Sequence, residues 1–227
     1  LVIVLLLTLG LGAFFSWQSL EEQRASLARI EKTAREQVQQ RLKAETENAV
    51  SFVEFNRLRT ESVLRRSLVE QVDTAFQIVE AIYQREAPRR PPAEVKRLIV
   101  EALRQARFYD GRGYYFIDSM QGEFILLPTA PQFEGKVMLD NRDDTGHYIM
   151  RGLIDAARRP QGEGFSRYRW YSPDNPKQMS DKLAYVRHFA PFDWLIGTGD
   201  YLYKWEELQQ RETLERLRSL RFGESGY

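Results

Sequence analysis

Cysteine is absent from the 227 residues, which excludes thiolate catalysis, disulfides and cysteine-ligated metal sites. Its absence fits an oxidising compartment in a bacterium. Histidine is nearly absent. His147 and His188 stand far apart in sequence, too few for a histidine-rich metal centre or a hydrolytic triad. Neither sign of charge predominates: 33 basic residues nearly balance 32 acidic ones. The arginines alternate with glutamates and form no basic block, so no field points to nucleic acid. Proline and glycine are missing from the whole of 18–87, which leaves nothing there to break a helix. No pair of carboxylates stands out for general acid-base chemistry, and no enzyme or bound cofactor is expected.

What is present begins with an uncharged apolar run, Leu1 to Trp17 (LVIVLLLTLGLGAFFSW). It sits at the lower edge of the length that spans a bilayer, and Trp17 is placed as an interfacial anchor. A cleaved signal peptide would show a small-residue cleavage site and a shorter apolar core. A buried core helix would be followed by a turn, whereas polar helix follows here at once. The run is therefore read as a transmembrane helix over 1–17. The chain lacks an initiator methionine and stops at Gly226-Tyr227, so a longer parent is expected.

Residues 18–87 are dominated by Glu, Arg, Gln, Ala and Leu. Apolar residues recur at helical spacing: Leu27, Ile30, Ala34 and Val38, then Leu68, Val72, Ala75, Phe76, Val79, Ile82 and Tyr83. The spacing predicts one long helix of about 105 Å at 1.5 Å per residue. Such a helix leaving a membrane pairs with a copy of itself or carries motion, although its heptads are irregular. Pro88-Arg89-Arg90-Pro91-Pro92 ends it. A short helix follows, with Val95, Leu98, Ile99, Ala102, Leu103 and Ala106 on one face.

From Asp110-Gly111-Arg112-Gly113 onward the pattern changes to strands and turns. Tyr114–Asp118 and Glu123–Leu127 read as a hairpin. A proline-bearing loop follows over 128–144, then a helix from about Thr145 to Arg158. Strands are predicted at Phe165–Tyr171, Lys182–Phe189 and Trp194–Tyr201. The expected fold class is α+β, a five-stranded antiparallel sheet with helices on one side. In the run from Asp140 to His147 the order of a calcium loop is lacking, so Asp143, Asp144 or Thr145 is expected to cap the helix. No metal site is expected.

Three motifs carry a family resemblance. YFID-x₃-G-x₁₂-G starts at Tyr115, GEGF-x₂-Y-x-W starts at Gly162, and KLAYV-x₂-F-x-PF-x-W-x-IGTG-x-Y starts at Lys182. Together they resemble the Cache domain family, type 2, over about residues 20–205. The resemblance implies a PAS-like fold and the extracytoplasmic sensor of a bacterial chemoreceptor, histidine kinase or diguanylate cyclase. It also implies a small organic acid as ligand, of the acetate, propionate, lactate or pyruvate class. The sensor would lie in the periplasm or outside the cell, anchored in the inner membrane. Where many members have His-Pro after the second strand, this chain has Leu127-Pro128.

A pocket for such an acid needs a cation, hydroxyl donors and apolar walls. Lys182 or Arg169 would supply the charge, Tyr115, Tyr168 and Tyr185 the donors, and Trp170 a wall. Each has a plainer reading. A lysine opening a strand is ordinarily solvated, and tyrosines and tryptophans in such a sheet are ordinarily core. Strand alternation puts Lys182, Ala184, Val186 and His188 on one face and Leu183, Tyr185, Arg187 and Phe189 on the other. It likewise separates Tyr114 and Phe116 from Tyr115 and Ile117. Gly197 and Gly199, inside the last strand, signal either a bulge or the close approach of a neighbour.

Finally, LRQARF at Leu103–Phe108 is echoed by LRSLRF at Leu217–Phe222, each just before a Gly-Tyr pair. Such an echo reads as an internal repeat, and some Cache members are tandem. The expected organisation is a transmembrane helix at 1–17, a signalling helix at 18–87, the sensor at 88–205, a connecting helix at 206–220 and the start of a second unit at 221–227. A homodimer is expected, because a single span signals most readily as a pair. The alternative function is a spacer that senses nothing and only sets dimer geometry. It predicts an apolar interior with no inward-facing cation.

Overall fold

The sheet is assembled around β5 (Trp194–Tyr201), all of whose 8 residues are buried. A strand buried on both faces needs apolar or small residues in both alternating sets, and WLIGTGDY supplies them except at Asp200. β5 pairs antiparallel with β1 (Phe116–Ser119) on one side and with β4 (Met179–Phe189) on the other. β2 (Phe124–Leu126) and β3 (Glu163–Tyr171) form the edges, giving the order β2-β1-β5-β4-β3. The computed structural model describes residues 2–219 apart from positions 173 and 176, with the side chains at 17–18 and at most positions from 32 to 211. The fold is α+β with a five-stranded antiparallel sheet, as the sequence predicts.

The turns follow from local chemistry. Gly122, at φ 89°, closes the β1–β2 hairpin in a conformation that disfavours side chains. Asp193, at φ 53° and ψ 45°, ends the short 3₁₀ turn Ala190–Phe192 and delivers the chain into β5.

The chain divides into two compact units, 1–56 and 57–227. Helix α1 is assigned over Val2–Glu86. In the first unit its described side chains are exposed and carry ion pairs one turn apart, such as Arg41 Nε to Glu45 Oε1 at 3.0 Å. In the second unit Leu64, Leu68, Val72, Ala75, Phe76 and Val79 form a buried stripe. That stripe packs with Val95, Ile99 and Leu103 of α2 (Pro92–Arg104) on one face of the sheet, against Tyr115, Ile117, Tyr185 and Ile196. The opposite face is covered by α3 (Ile149–Ala157), whose Ile149, Met150, Leu153 and Ile154 meet Phe116, Ala184, Val186 and Leu195. Helices thus lie on both sides of the sheet, a correction to the one-sided expectation. The reason is visible in β4, where Lys182 to Val186 are buried without interruption, so neither face is left to water.

A second correction concerns α3. It starts at Ile149, four residues later than predicted, and its N-cap position Tyr148 makes no side-chain capping bond. Asp143 instead organises the preceding loop. Its Oδ1 accepts from the backbone N–H of Thr145 and of His147, both at 3.0 Å, and from the Thr145 hydroxyl at 2.7 Å. Helix α4 (Leu202–Ser219) follows β5 directly. The expected membrane helix over 1–17 falls on a stretch whose side chains, Trp17 apart, lie outside the described residues. Among the described residues no helix is long and apolar enough to cross a membrane. The predicted second unit at 221–227 also lies outside them. No group of residues that could hold a metal ion occurs among those described.

Candidate functional site

Antiparallel register places Tyr168 of β3, Lys182 of β4 and Tyr201 of β5 side by side in one row across the sheet. All three point to the α3 face. Lys182 is 1% exposed. Its Nζ donates to the Tyr114 hydroxyl at 2.9 Å and lies 4.6 Å from the Tyr114 ring centre and 5.4 Å from that of Tyr201. One hydroxyl and two ring faces are thus its partners among the described residues. An ammonium group taken out of water without a carboxylate beside it is expensive. Ring faces recover part of that cost, and an anion would recover more.

The glycines of β5 make room for this arrangement. A Cβ on Gly199 would stand 3.0 Å from Lys182 Cε and 2.8 Å from the Leu183 carbonyl oxygen, and one on Gly197 would stand 2.7 Å from Phe116 Cζ. The β4–β5 register is regular throughout, so close approach and not a bulge accounts for both.

Beyond Tyr114 and Tyr168, which flank the lysine, lies a cavity of about 20 Å³. Tyr114, Asp118, Tyr168 and Trp170 line it with polar groups, and Phe116, Phe124, Leu127, Ile149 and Leu153 with apolar ones. Leu127, at the position where the resemblance sets a histidine, is one of these apolar walls. Burial pushes the Tyr168 hydroxyl well above its ordinary value, with Tyr114, Tyr201 and Asp118 adding to the effect. The group therefore stays a hydrogen-bond donor. Burial also holds the Asp118 carboxyl well above the usual carboxylate range.

Of the six residues singled out from sequence, Tyr168, Trp170 and Lys182 come together here. Tyr115 and Tyr185 lie on the opposite face, in the core under α1 and α2. The Tyr115 hydroxyl donates to Gln71 Oε1 at 3.1 Å, and the Tyr185 ring stacks 4.7 Å from Phe165. Arg169 is not among the residues lining this cavity; it is held by Asp144 Oδ2 at 2.6 Å, Asp181 Oδ1 at 3.4 Å and the Met179 carbonyl at 2.7 Å. Three residues enter the site without having been singled out: Tyr114, Asp118 and Tyr201. Alternation already sorted Tyr114 from Tyr115. What was lacking was the register that brings the Tyr114 set of β1 to the Lys182 set of β4.

The opposite face of β5 leads into the helices. Asp200, next to Tyr201, is 1% exposed. It accepts from Arg112 Nε at 3.1 Å and from the Trp205 indole N–H of α4 at 2.8 Å. Tyr109 packs edge-on against Trp205 with ring centres 5.4 Å apart, and its hydroxyl lies 2.7 Å from Ser67 Oγ on α1.

The family model described as Cache domain matches residues 21–227. Among curated relatives, the sensor histidine kinase MctS of Rhizobium johnstonii is 27% identical over 155 residues, which are 68% of this chain and 32% of that protein. The chain spans no more than about a third of the length of the curated relatives it matches. Among solved structures, a methyl-accepting chemotaxis protein from Vibrio parahaemolyticus superimposes with a TM-score of 0.59 at 26% identity, covering 66% of this chain and 96% of that one. A Cache chemosensory domain described for its carboxylic acid recognition shares the fold, with a TM-score of 0.54 at 21% identity over 60% of this chain and 91% of that one.

Proposed function

The chain belongs to the Cache domain family, and on that premise we propose that it is the ligand-sensing part of a bacterial signal-transduction receptor whose ligand is a small organic acid. The observation that carries this reading is Lys182, a buried cation beside a cavity with no carboxylate partner among the described residues. The ligand carboxylate pairs with Lys182, the hydroxyls of Tyr114 and Tyr168 donate to it, and Trp170 closes the rim. Arg169, already held by two carboxylates and absent from the cavity lining, takes no part in this arrangement. Tyr115 and Tyr185, on the far face, support the sheet from behind. The relatives named above, a sensor histidine kinase and a chemotaxis receptor, favour the receptor setting. The solved domain described for carboxylic acid recognition is consistent with the ligand class.

The cavity of about 20 Å³ has room for about one water. An acid of two or three carbons enters only as the α3 wall moves outward, and that displacement is the signal. It passes from Tyr201 through Asp200 to Trp205 and Tyr109, and so to α4 and α1. A coupling of about 1–3 kcal/mol gives a 5–150-fold response. In this reading the apolar run at 1–17 anchors the chain in the inner membrane, with the sensor in the periplasm or outside the cell. The receptor acts as a homodimer, this domain is the first of a tandem pair, and any catalytic output lies elsewhere in the protein. The spacer alternative expects a wholly apolar interior, against which Lys182 and Asp118 weigh.

A thermal-shift screen of the chain against acetate, propionate, lactate and pyruvate tests the reading. Ligand at a hundred times its Kd adds about 2.7 kcal/mol. For a domain of this size that is a rise of roughly 5–10 °C in Tm. If no acid of this class raises the Tm, the carboxylate reading fails and the spacer stands.

A further inference from the structure

We infer that Asp118 is a second anchor of the same site, so that the acid docking at Lys182 is a short hydroxy acid whose hydroxyl pairs with the Asp118 carboxyl. The inference rests on the reading of Lys182 as the carboxylate partner and narrows the class of acid.

Asp118 is 1% exposed, and neither of its carboxyl oxygens has a hydrogen-bond partner. No other described side chain is buried with polar atoms in that condition. Native proteins seldom leave a buried polar group unpaired, and such a group calls for an explanation. Packing does not require a carboxyl here, since the surrounding wall is apolar at Phe124, Leu127 and Leu153. Position supplies the explanation. Asp118 follows Tyr114 and Phe116 in the alternation of β1 and sits opposite Leu195 of β5, on the α3 face of the sheet. The cavity touches Asp118 and also Tyr114, whose hydroxyl receives the Lys182 ammonium. A molecule in that cavity therefore meets a cation-backed hydroxyl in one direction and an unanswered carboxyl in another, with apolar carbon contacts between.

The chemistry of the missing partner is constrained. Burial raises the Asp118 carboxyl well above the usual carboxylate range, and in its protonated form the group has one O–H to donate and a carbonyl oxygen to accept. A hydroxyl answers both. An ammonium could only donate, and bringing a second cation into these apolar walls would cost its hydration. A second ligand carboxylate would place two anions against the single cation of Lys182. An unsubstituted acid would leave Asp118 as unpaired as before, and a site with a buried unpaired polar group discriminates strongly against a ligand lacking its complement.

Matched pairs test this by titration calorimetry on the whole chain: propionate against lactate and 3-hydroxypropionate, and butyrate against 3- and 4-hydroxybutyrate. The hydroxylated member is expected to bind at least tenfold more tightly in one or more pairs. In Asp118→Val that ratio is expected to fall to about one, and in Asp118→Asn, which keeps a donor and an acceptor, it is expected to persist. The unliganded Tm of Asp118→Val is expected to lie at or above that of the wild type. Equal binding within every pair overturns the inference while leaving the Lys182 reading intact. So does tighter binding of β-alanine or γ-aminobutyrate than of the matching hydroxy acid. Absence of binding by all the acids removes the Lys182 reading and this inference together. Should Asp118→Val fail to fold, a crystal structure of the hydroxy-acid complex decides. The ligand hydroxyl within hydrogen-bond distance of Asp118 supports the inference, and a water on Asp118 with the hydroxyl elsewhere overturns it.

Discussion

Lys182 and Asp143 show how differently one fold handles two buried charged residues. Lys182 has a hydroxyl and ring faces but no counter-ion among its partners, whereas Asp143 is saturated. Burial alone would raise the Asp143 carboxyl. Hydrogen bonds from the Thr145 hydroxyl and from the backbone N–H groups of Arg169, His147 and Thr145 outweigh burial and bring it down to about 2. The consequence for stability has a definite sign. A carboxyl whose value is lower folded than unfolded stabilises the fold above its unfolded value, and that contribution is lost as pH falls toward the folded one. Between about pH 4 and pH 2 the wild type should therefore lose on the order of 2 kcal/mol through this residue. In Asp143→Asn that acid-sensitive part should be missing, with lower stability at neutral pH. Chemical denaturation at a series of pH values measures both, and an unchanged acid limb in the variant would contradict the assignment.

At the scale of elements, β5 and the start of α4 form the joint between site and helices. Trp205 donates to Asp200, and Arg112 pairs with the same carboxylate. Trp205→Phe removes the indole N–H while keeping an aromatic ring against Tyr109. It should destabilise the domain by about 1–3 kcal/mol, because Asp200 is left short of a donor in a dry place. Urea denaturation checks this, and a loss within experimental error would show that α4 is not held through Asp200.

The elements themselves were largely legible in the sequence. Alternation and turn residues mark Trp194–Tyr201 as a strand to the residue, and the hydrophobic spacing of Leu68 to Val79 marks the buried stripe of α1. Two things were not legible. The start of α3 was misread because Asp143 satisfies its own loop, and nothing in the run Asp-Asp-Thr-Gly distinguishes a loop organiser from a helix cap. The site was read by half. Alternation divides each strand into two sets of side chains, but only pairing across strands joins the sets into faces. Without the register that sets Tyr168 and Tyr201 beside Lys182, Tyr115 was as eligible as Tyr114, whereas alternation within β4 alone already set Tyr185 on the face opposite Lys182. Asp118, although the last residue of the YFID motif, gave no signal of a binding role, since an aspartate before a turn ordinarily serves that turn.

At the scale of the whole molecule, the sheet carries the candidate site on one face and the buried stripe of α1 on the other. The α3 face holds the cavity, and the opposite face packs against the α1 stripe from Leu64 to Val79. On the proposed reading, a ligand that adjusts the first face acts on the second through the sheet and through the joint at Asp200. On this account a carboxylate at Lys182 is the single event that starts the response. Titration of lactate and propionate into the wild-type chain and into Lys182→Met, followed by calorimetry together with the unliganded Tm, tests that event most directly. Methionine keeps the volume and removes the buried charge, a change that is often neutral or stabilising. The account predicts at least a hundredfold weaker binding in Lys182→Met, with an unliganded Tm equal to or above that of the wild type. Binding within threefold of the wild type in a folded Lys182→Met would contradict it.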